Sequence, residues 1–423
     1  MAYLDHAATT PVLPVVAAAV AAAMTIGGNP SSLHGSGRRA RRRVEESRES
    51  IAAALGAHPT EVLFTSGGTE SDNLAVTGLF RARVAADGHR RRVLVAATEH
   101  HAVLDAVEHL AATAGAEIDW LEVDGDCRVL PESFAAALAG DTGRASGCGS
   151  GCGSADIALA TVMWANNEVG TANDIAAIAA IAHDAGIPLH TDAVQAAPIL
   201  VVDFAASGAA ALSVAGHKLG GPGGTGLLLL RRDAAVVPLV HGGGQERGLR
   251  SGTLDVAGIV GLAAAVDDAV THRVPRTAEY GRLRGRLVDG ILAAVPDAVL
   301  SGDVGDTVIA GGPGRLPGLA HFRFPGCESE TLLMLLDSAG VECSAGSACS
   351  AGVTRASHVL LAMGLDEPAA RSSLRFSLGH TSSDADVDAV LAAIGPAVDR
   401  ARGAARRSAA PYRAAQLPVA VTG

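Results

Sequence analysis

The chain of 423 residues is long enough for two or three domains at roughly 150 residues each. Its hydrophobic content of 48% excludes a disordered chain, while 3% aromatics and a net charge of −11 argue against base-stacking or broadly cationic nucleic-acid surfaces. No apolar run is long enough to span a bilayer, and the N-terminus MAYLDHAATT lacks the basic start and apolar stretch of a secretory signal, so a cytoplasmic protein is expected.

In chain order, the basic run at 38–43 (RRARRR) leads into VEESRESIAAALG, which predicts a helix with a solvated, charged face. Strand-like apolar runs at 62–64, 93–97, 118–123, 158–164 and 212–215 then alternate with helical patterns at 71–83, 102–112 and 175–185. Short buried strands alternating with helices predict a mostly parallel sheet covered on both faces. Ligands of such sheets bind at the carboxyl ends of the strands. Between the third and fourth runs, TGRASGCGSGCGS reads as a flexible Gly/Ser-rich insertion at 142–154. From about Ala265 the pattern becomes a long helical stretch followed by mixed strands and helices. The expected organisation is a large α/β domain over 15–264, a smaller α+β domain from 1–14 and 265–407, and a flexible tail at 408–423.

Arginine outnumbers lysine 32 to one, the single lysine being Lys218. Arginine serves surface charge well but cannot act as a neutral amine, because the guanidinium stays protonated. Lys218 follows the apolar run ALSVAG-His217 and precedes LGGPGGTG. A lysine at a strand end, flanked by glycines that admit close approach, suits Schiff-base chemistry with a flat aldehyde coenzyme such as pyridoxal phosphate. Such a coenzyme needs a phosphate cradle, and FTSGGTES offers Gly68 and Thr69 at a helix start. It also needs an acid for the pyridine nitrogen, for which Asp192 in PLHTDAVQ ends a strand. Asp192 alone could equally be a helix cap. His100 or His101, Asn167 and Gln195 are further candidates for ring contacts, each with an ordinary turn or cap role as its alternative.

The six cysteines show no disulfide framework. Cys148 and Cys152 match a metal half-site only loosely. Cys349 lies in ECSAGSACSAG, a small-residue segment too polar for a packed core, and reads as a loop nucleophile. Arg375 in SSLRFSLGH suits a substrate carboxylate, or a plain ion pair.

Together, YLDHAATTP, NPSSLHGSGR, FTSGGTESDNLA, TEHHAVLD, ANNEVGT, HTDAVQ, SVAGHKLGGPGGTG, HGGGQERGLRSGT, SAGSACSAG and SLRFSLGHT resemble the cysteine desulfurases of the NifS/IscS type, class-V pyridoxal-phosphate enzymes of fold type I, in an actinobacterial wording. The resemblance runs from Tyr3 to Thr381. It implies that Lys218 carries the coenzyme as a Schiff base and later acts as base, and that His100 stacks on the ring. Gly68, Thr69 and His217 would surround the phosphate, Asn167 and Gln195 the ring, and Asp192 the pyridine nitrogen. Thr253 would reach the coenzyme of a second copy in a homodimer. Arg375 would bind the L-cysteine carboxylate, with Asn167 nearby, and Cys349 would take the sulfur as a persulfide for an acceptor protein in iron–sulfur assembly or tRNA thiolation. No resident metal is implied, although Cys349 is a thiol able to ligate an iron–sulfur species in passing. Selenocysteine lyase and cysteine-sulfinate desulfinase are alternatives on the same site; a non-catalytic sulfur-relay or scaffold protein is a distant one. Ala215 stands where many members have a phosphate-binding serine, with Ser213 a possible substitute, and Gln245 stands where many have histidine.

Overall fold

The computed structural model describes residues 1–140, 154–305, 307–309, 312–346 and 356–409, with side chains described to residue 405. Cys148, Cys152 and Cys349 therefore lie outside the described residues, as does the tail from residue 410.

Seven strands form the main sheet in the order Val62–Thr65, Gly226–Leu230, Ala211–Ala215, Leu189–Asp192, Ile157–Thr161, Arg92–Ala96 and Glu117–Leu121. The ladders from Ala211–Ala215 outward to Glu117–Leu121 are all parallel, and only Gly226–Leu230 runs against both its neighbours. Six of the seven strands are buried along their whole length, and five of them read as largely apolar runs rather than as an alternation, Leu189–Asp192 (LHTD) being the polar exception.

Helices cover both faces. On one side the Gly68–Ala86 helix packs Leu74, Ala75 and Leu79 on Leu63, Leu228 and Leu230, and Val76 and Phe80 join Val93, Val95 and Val107. On the other, Phe64, Leu212, Val214 and Leu229 meet Val16, Val44, Ile51, Leu262 and Val266. Each fully buried side chain of this size contributes roughly 1.5–3 kcal/mol. The Gly35–Ala54 helix buries Ala40 and Val44 and leaves all five arginines of the 38–43 run in water, as its pattern predicts.

A second core lies around the antiparallel strands Ser373–Ser377, Leu319–Arg323 and Val299–Ser301. Leu287, Ile291, Phe322, Leu336, Phe376 and Ile394 fill it, supplied by these strands and by the helices Arg273–Ala294, Ser329–Ser338 and Asp384–Ala409. The chain begins in this body: Ala2–Tyr3 pairs in parallel with Val341–Glu342, and Leu4 enters the same core. The following residues then cross to the large sheet. The Val256–Thr271 helix buries Leu262, Val266 and Ala269 in the large core. Among the described residues, no helix is long and apolar enough to cross a membrane.

Candidate active site

The parallel strands all deliver their carboxyl ends to one side of the sheet, and the loops that follow them line a cavity of about 490 Å³ between the two bodies. Gly68, Thr69, His100, Asn167, Asp192, Gln195, His217, Lys218 and Arg375, singled out in the sequence, all line it. Thr253 does not; it is exposed on the loop before the Val256–Thr271 helix.

Lys218 ends the short turn Gly216–Lys218 that follows the Ala211–Ala215 strand. Gly216 is required there, because a Cβ would come within 2.3 Å of Thr225 Oγ1. Burial, then the Arg375 guanidinium, lowers the Lys218 amine from 10.5 to about 8, with Asp5 and Asp192 pulling the other way. Nζ donates to the carbonyls of Ala7 at 2.5 Å and Ala8 at 2.7 Å. Gln195 Nε2 shares the Ala7 carbonyl at 2.8 Å, and His217 Nδ1 lies 3.2 Å from Thr9 Oγ1.

The Gly68–Ala86 helix opens at Gly67 without any side-chain cap, so its first N–H groups are left for an anion. Gly68 keeps the cavity wall open: a Cβ would meet Val194 Cγ2 at 3.0 Å and Ala215 Cβ at 3.3 Å. Ser213 does not replace the hydroxyl absent at Ala215. Its Oγ lies 3.0 Å from His190 Nε2, and it does not line the cavity.

Asp192 accepts the Val194 N–H at 2.8 Å. Burial and the neighbouring Asp72 push its carboxyl up to about 7, against the pull of His100 and His190. Asp72, in the second turn of the Gly68–Ala86 helix, lines the same cavity and is pushed up to about 7 by burial. Glu99, fully buried, is raised well above the carboxylate range by burial, Asp192 and Asp72. Two crowded acids against one low-dielectric wall call for a cation, and a protonated ring nitrogen at Asp192 is the kind that fits. His100 caps the His101–Ala114 helix; its Nδ1 accepts the Ala102 N–H at 3.1 Å, which leaves the proton of the neutral ring on Nε2. Burial lowers its pKa, partly offset by Asp192.

Arg375 projects from the Ser373–Ser377 strand and is 5% exposed. Its Nη2 bonds Asp5 Oδ1 at 2.8 Å, its Nη1 the Asn167 carbonyl at 2.9 Å, and its buried Nε has no partner among the described residues. Cys343, which the sequence did not single out, also lines the cavity. Burial and Asp5 push its thiol up to about 12, so it stays protonated and is a poor nucleophile. The segment carrying Cys349 leaves the described chain at Gly346, a cavity-lining residue. Among the described residues, no cluster of histidine, cysteine or carboxylate side chains is arranged for a metal ion.

The family model described as aminotransferase class-V matches residues 2–390, and the partly buried lysine, the acid and the helix start at the strand ends of this sheet fit it. The chain belongs to this family, whose members are pyridoxal-phosphate enzymes. It is 54% identical to the IscS-like cysteine desulfurase of Mycobacterium tuberculosis over 98% of this chain and 100% of that one, and 40% identical to a cysteine desulfurase of Cereibacter sphaeroides over 95% and 96%. A solved NifS-like protein superposes with a TM-score of 0.81 at 31% identity, covering 94% of this chain and 99% of that one. Within the family, the chain belongs with the IscS/NifS-type cysteine desulfurases.

Proposed function

We propose that the chain is a pyridoxal-phosphate-dependent cysteine desulfurase that converts L-cysteine to L-alanine and leaves the sulfur as a persulfide on Cys349. One observation carries this reading: the only lysine in the chain reaches the cavity beside Asp192, His100 and the uncapped helix start, opposite the buried Arg375. The first turn at Gly68 and Thr69, with His217, would hold the phosphate; His100 would face the ring, and Asp192 the pyridine nitrogen. Gln195 spends one amide N–H on Ala7 and keeps the other for a ring oxygen, with Asn167 beside it. When bound, pyridoxal phosphate supplies an aldehyde carbon and a ring that accepts electrons from the substrate Cα.

Arg375 binds the substrate carboxylate through Nη N–H bonds that are not committed to Asp5 and Asn167. Lys218, brought near neutrality by its burial, takes the Cα proton as a base. The Cys349 thiolate then forms a bond to the substrate sulfur as the Cβ–S bond breaks, and Cβ takes a proton. The balance is L-cysteine plus thiol giving L-alanine plus persulfide. The persulfide then passes to an acceptor thiol for iron–sulfur assembly or tRNA thiolation in the cytoplasm. Thr253, exposed and away from its own cavity, would complete the phosphate site of a second copy in a homodimer.

The test is product analysis with purified, coenzyme-loaded protein and a reductant. Equal amounts of alanine and sulfide from L-cysteine support the reading. Faster turnover of L-selenocysteine or of cysteine sulfinate, with little from L-cysteine, refutes it in favour of those reactions. A colourless protein that binds no coenzyme points to the non-catalytic relay.

A further inference from the structure

The chain enters the cavity by its N-terminal segment, within the YLDHAATTP stretch, and that segment touches both catalytic poles through backbone carbonyls and the Asp5 carboxylate. At one pole, Lys218 Nζ donates to the carbonyls of Ala7 and Ala8. At the other, Asp5 holds Arg375. The turn between them is pinned from the small body. Tyr3 Oη donates to the Thr9 carbonyl at 2.7 Å and to the Asp5 carbonyl at 3.2 Å, spanning the turn from end to end. Ser377, two residues beyond Arg375 on the same strand, accepts the Ala7 N–H at 2.8 Å. The Asp5 carbonyl in turn takes the N–H groups of Ala8 and Thr9.

A neutral amine has two N–H bonds and one lone pair. With both N–H bonds committed to two fixed carbonyls, the lone pair has a single remaining direction. We infer that segment 5–8 is a positioning element of the reaction: the Ala7 and Ala8 carbonyls aim the lone pair of the released Lys218 amine, and Asp5 and Ser377 tie that aim to the strand whose Arg375 fixes the substrate carboxylate. This rests on the desulfurase reading and specifies how the base is oriented within it. Base and substrate anchor are thereby set against one another through the four residues of segment 5–8 rather than through the packing of two bodies. The charged and titratable groups facing Lys218 are Arg375, Asp5, Asp192, His100 and His217. The two pins tested below change none of them.

Tyr3→Phe and Ser377→Ala each remove one pin, alter no charge and touch no group assigned to coenzyme or substrate. Three readouts apply to wild type and to both variants. The first is steady-state kinetics of the coenzyme-loaded enzyme with L-cysteine. The second is the rate ratio between L-cysteine and its α-deuterated form. The third is the side-chain signal of the full chain labelled with 15N-lysine, which is unique because Lys218 is the only lysine. The expected result is a kcat lower by about 10- to 100-fold at unchanged KM and coenzyme content, since small misplacement of a reacting group has effects of that order. The deuterium effect should rise, because proton removal becomes slower, and without coenzyme the lysine signal should move toward that of a mobile side chain. The inference is overturned if both variants keep wild-type kcat, deuterium effect and lysine signal. It is equally overturned if kcat falls only in proportion to lost coenzyme with the deuterium effect unchanged, which is the signature of a structural role. If wild type makes no alanine, the functional reading falls, and the lysine signal, which needs no turnover, still decides whether the carbonyls hold the amine.

Discussion

Lys218 can attack an aldehyde only as the neutral amine, and its surroundings set how often it is neutral. An ordinary lysine of pKa 10.5 is neutral in about 0.1% of molecules at about pH 7.5, whereas one lowered to about 8 is neutral in about a quarter of them, a gain of about 200-fold. The sign follows: coenzyme capture by the chain rises with pH as the amine deprotonates, and levels off once pH passes the folded-state value. Mixing coenzyme-free protein with pyridoxal phosphate between about pH 6 and pH 10, and following the visible absorbance of the adduct, reads this directly, since no second lysine competes. A plateau beginning near pH 8 is expected. Arg375→Ala should move the limb upward only in part, because burial is the larger cause and remains. A capture rate that keeps climbing about tenfold per pH unit through pH 10 would refute the burial argument and with it the placement of Lys218 against the ring.

Three more outcomes are expected. Cys343→Ala should still form a persulfide, because a thiol held at about 12 is rarely ionised, whereas Cys349→Ser should bind coenzyme and cysteine yet form none; mass spectrometry of the two peptides separates them. Arg375→Ala should raise KM for L-cysteine by roughly 10- to 100-fold, as expected for loss of charge-assisted hydrogen bonds worth about 1.5–3 kcal/mol each, and an unchanged KM would make the arginine purely structural. Glu246→Ala should cost about 1.5–3 kcal/mol in urea unfolding, because the buried Arg48 guanidinium loses its bonds to Glu246 at 2.7 and 2.9 Å and keeps only Glu45 and the Val62 carbonyl; a loss under about 1 kcal/mol would show that Glu45 and water make good the loss.

That the candidate residues near strand ends would share one cavity was legible because parallel sheets bring such positions together. Asp192 ends one strand, Lys218, His100 and Gly68 follow three others, and each sits within a few residues of a carboxyl end. Less legible was anything carried by backbone atoms or by distant pairing. The Ala7 and Ala8 carbonyls leave no trace in residue type, and Arg48 meets Glu246 across 198 positions. Asp72 is one of several polar residues on its helix, and only the fold reveals that it shares a wall with Asp192. Ser213 shows the limit of alternation: it shares a face with Ala215, but its hydroxyl is taken by His190 one strand over. The helix at 71–83 begins three residues earlier than its apolar pattern, at Gly68, because an uncapped Gly-rich start carries no apolar periodicity. The strand at 158–164 stops at Thr161 as a regular element, although Val162 and Trp164 still donate to the His190 and Asp192 carbonyls on their way to Asn167.

The most direct test of the central claim is the fate of the sulfur atom. Coenzyme-loaded protein given one equivalent of L-cysteine without reductant, then digested and weighed, should show one added sulfur on the Cys349 peptide and a matching amount of alanine. Alanine without added sulfur on that peptide, or added sulfur on the Cys343 peptide instead, would contradict it.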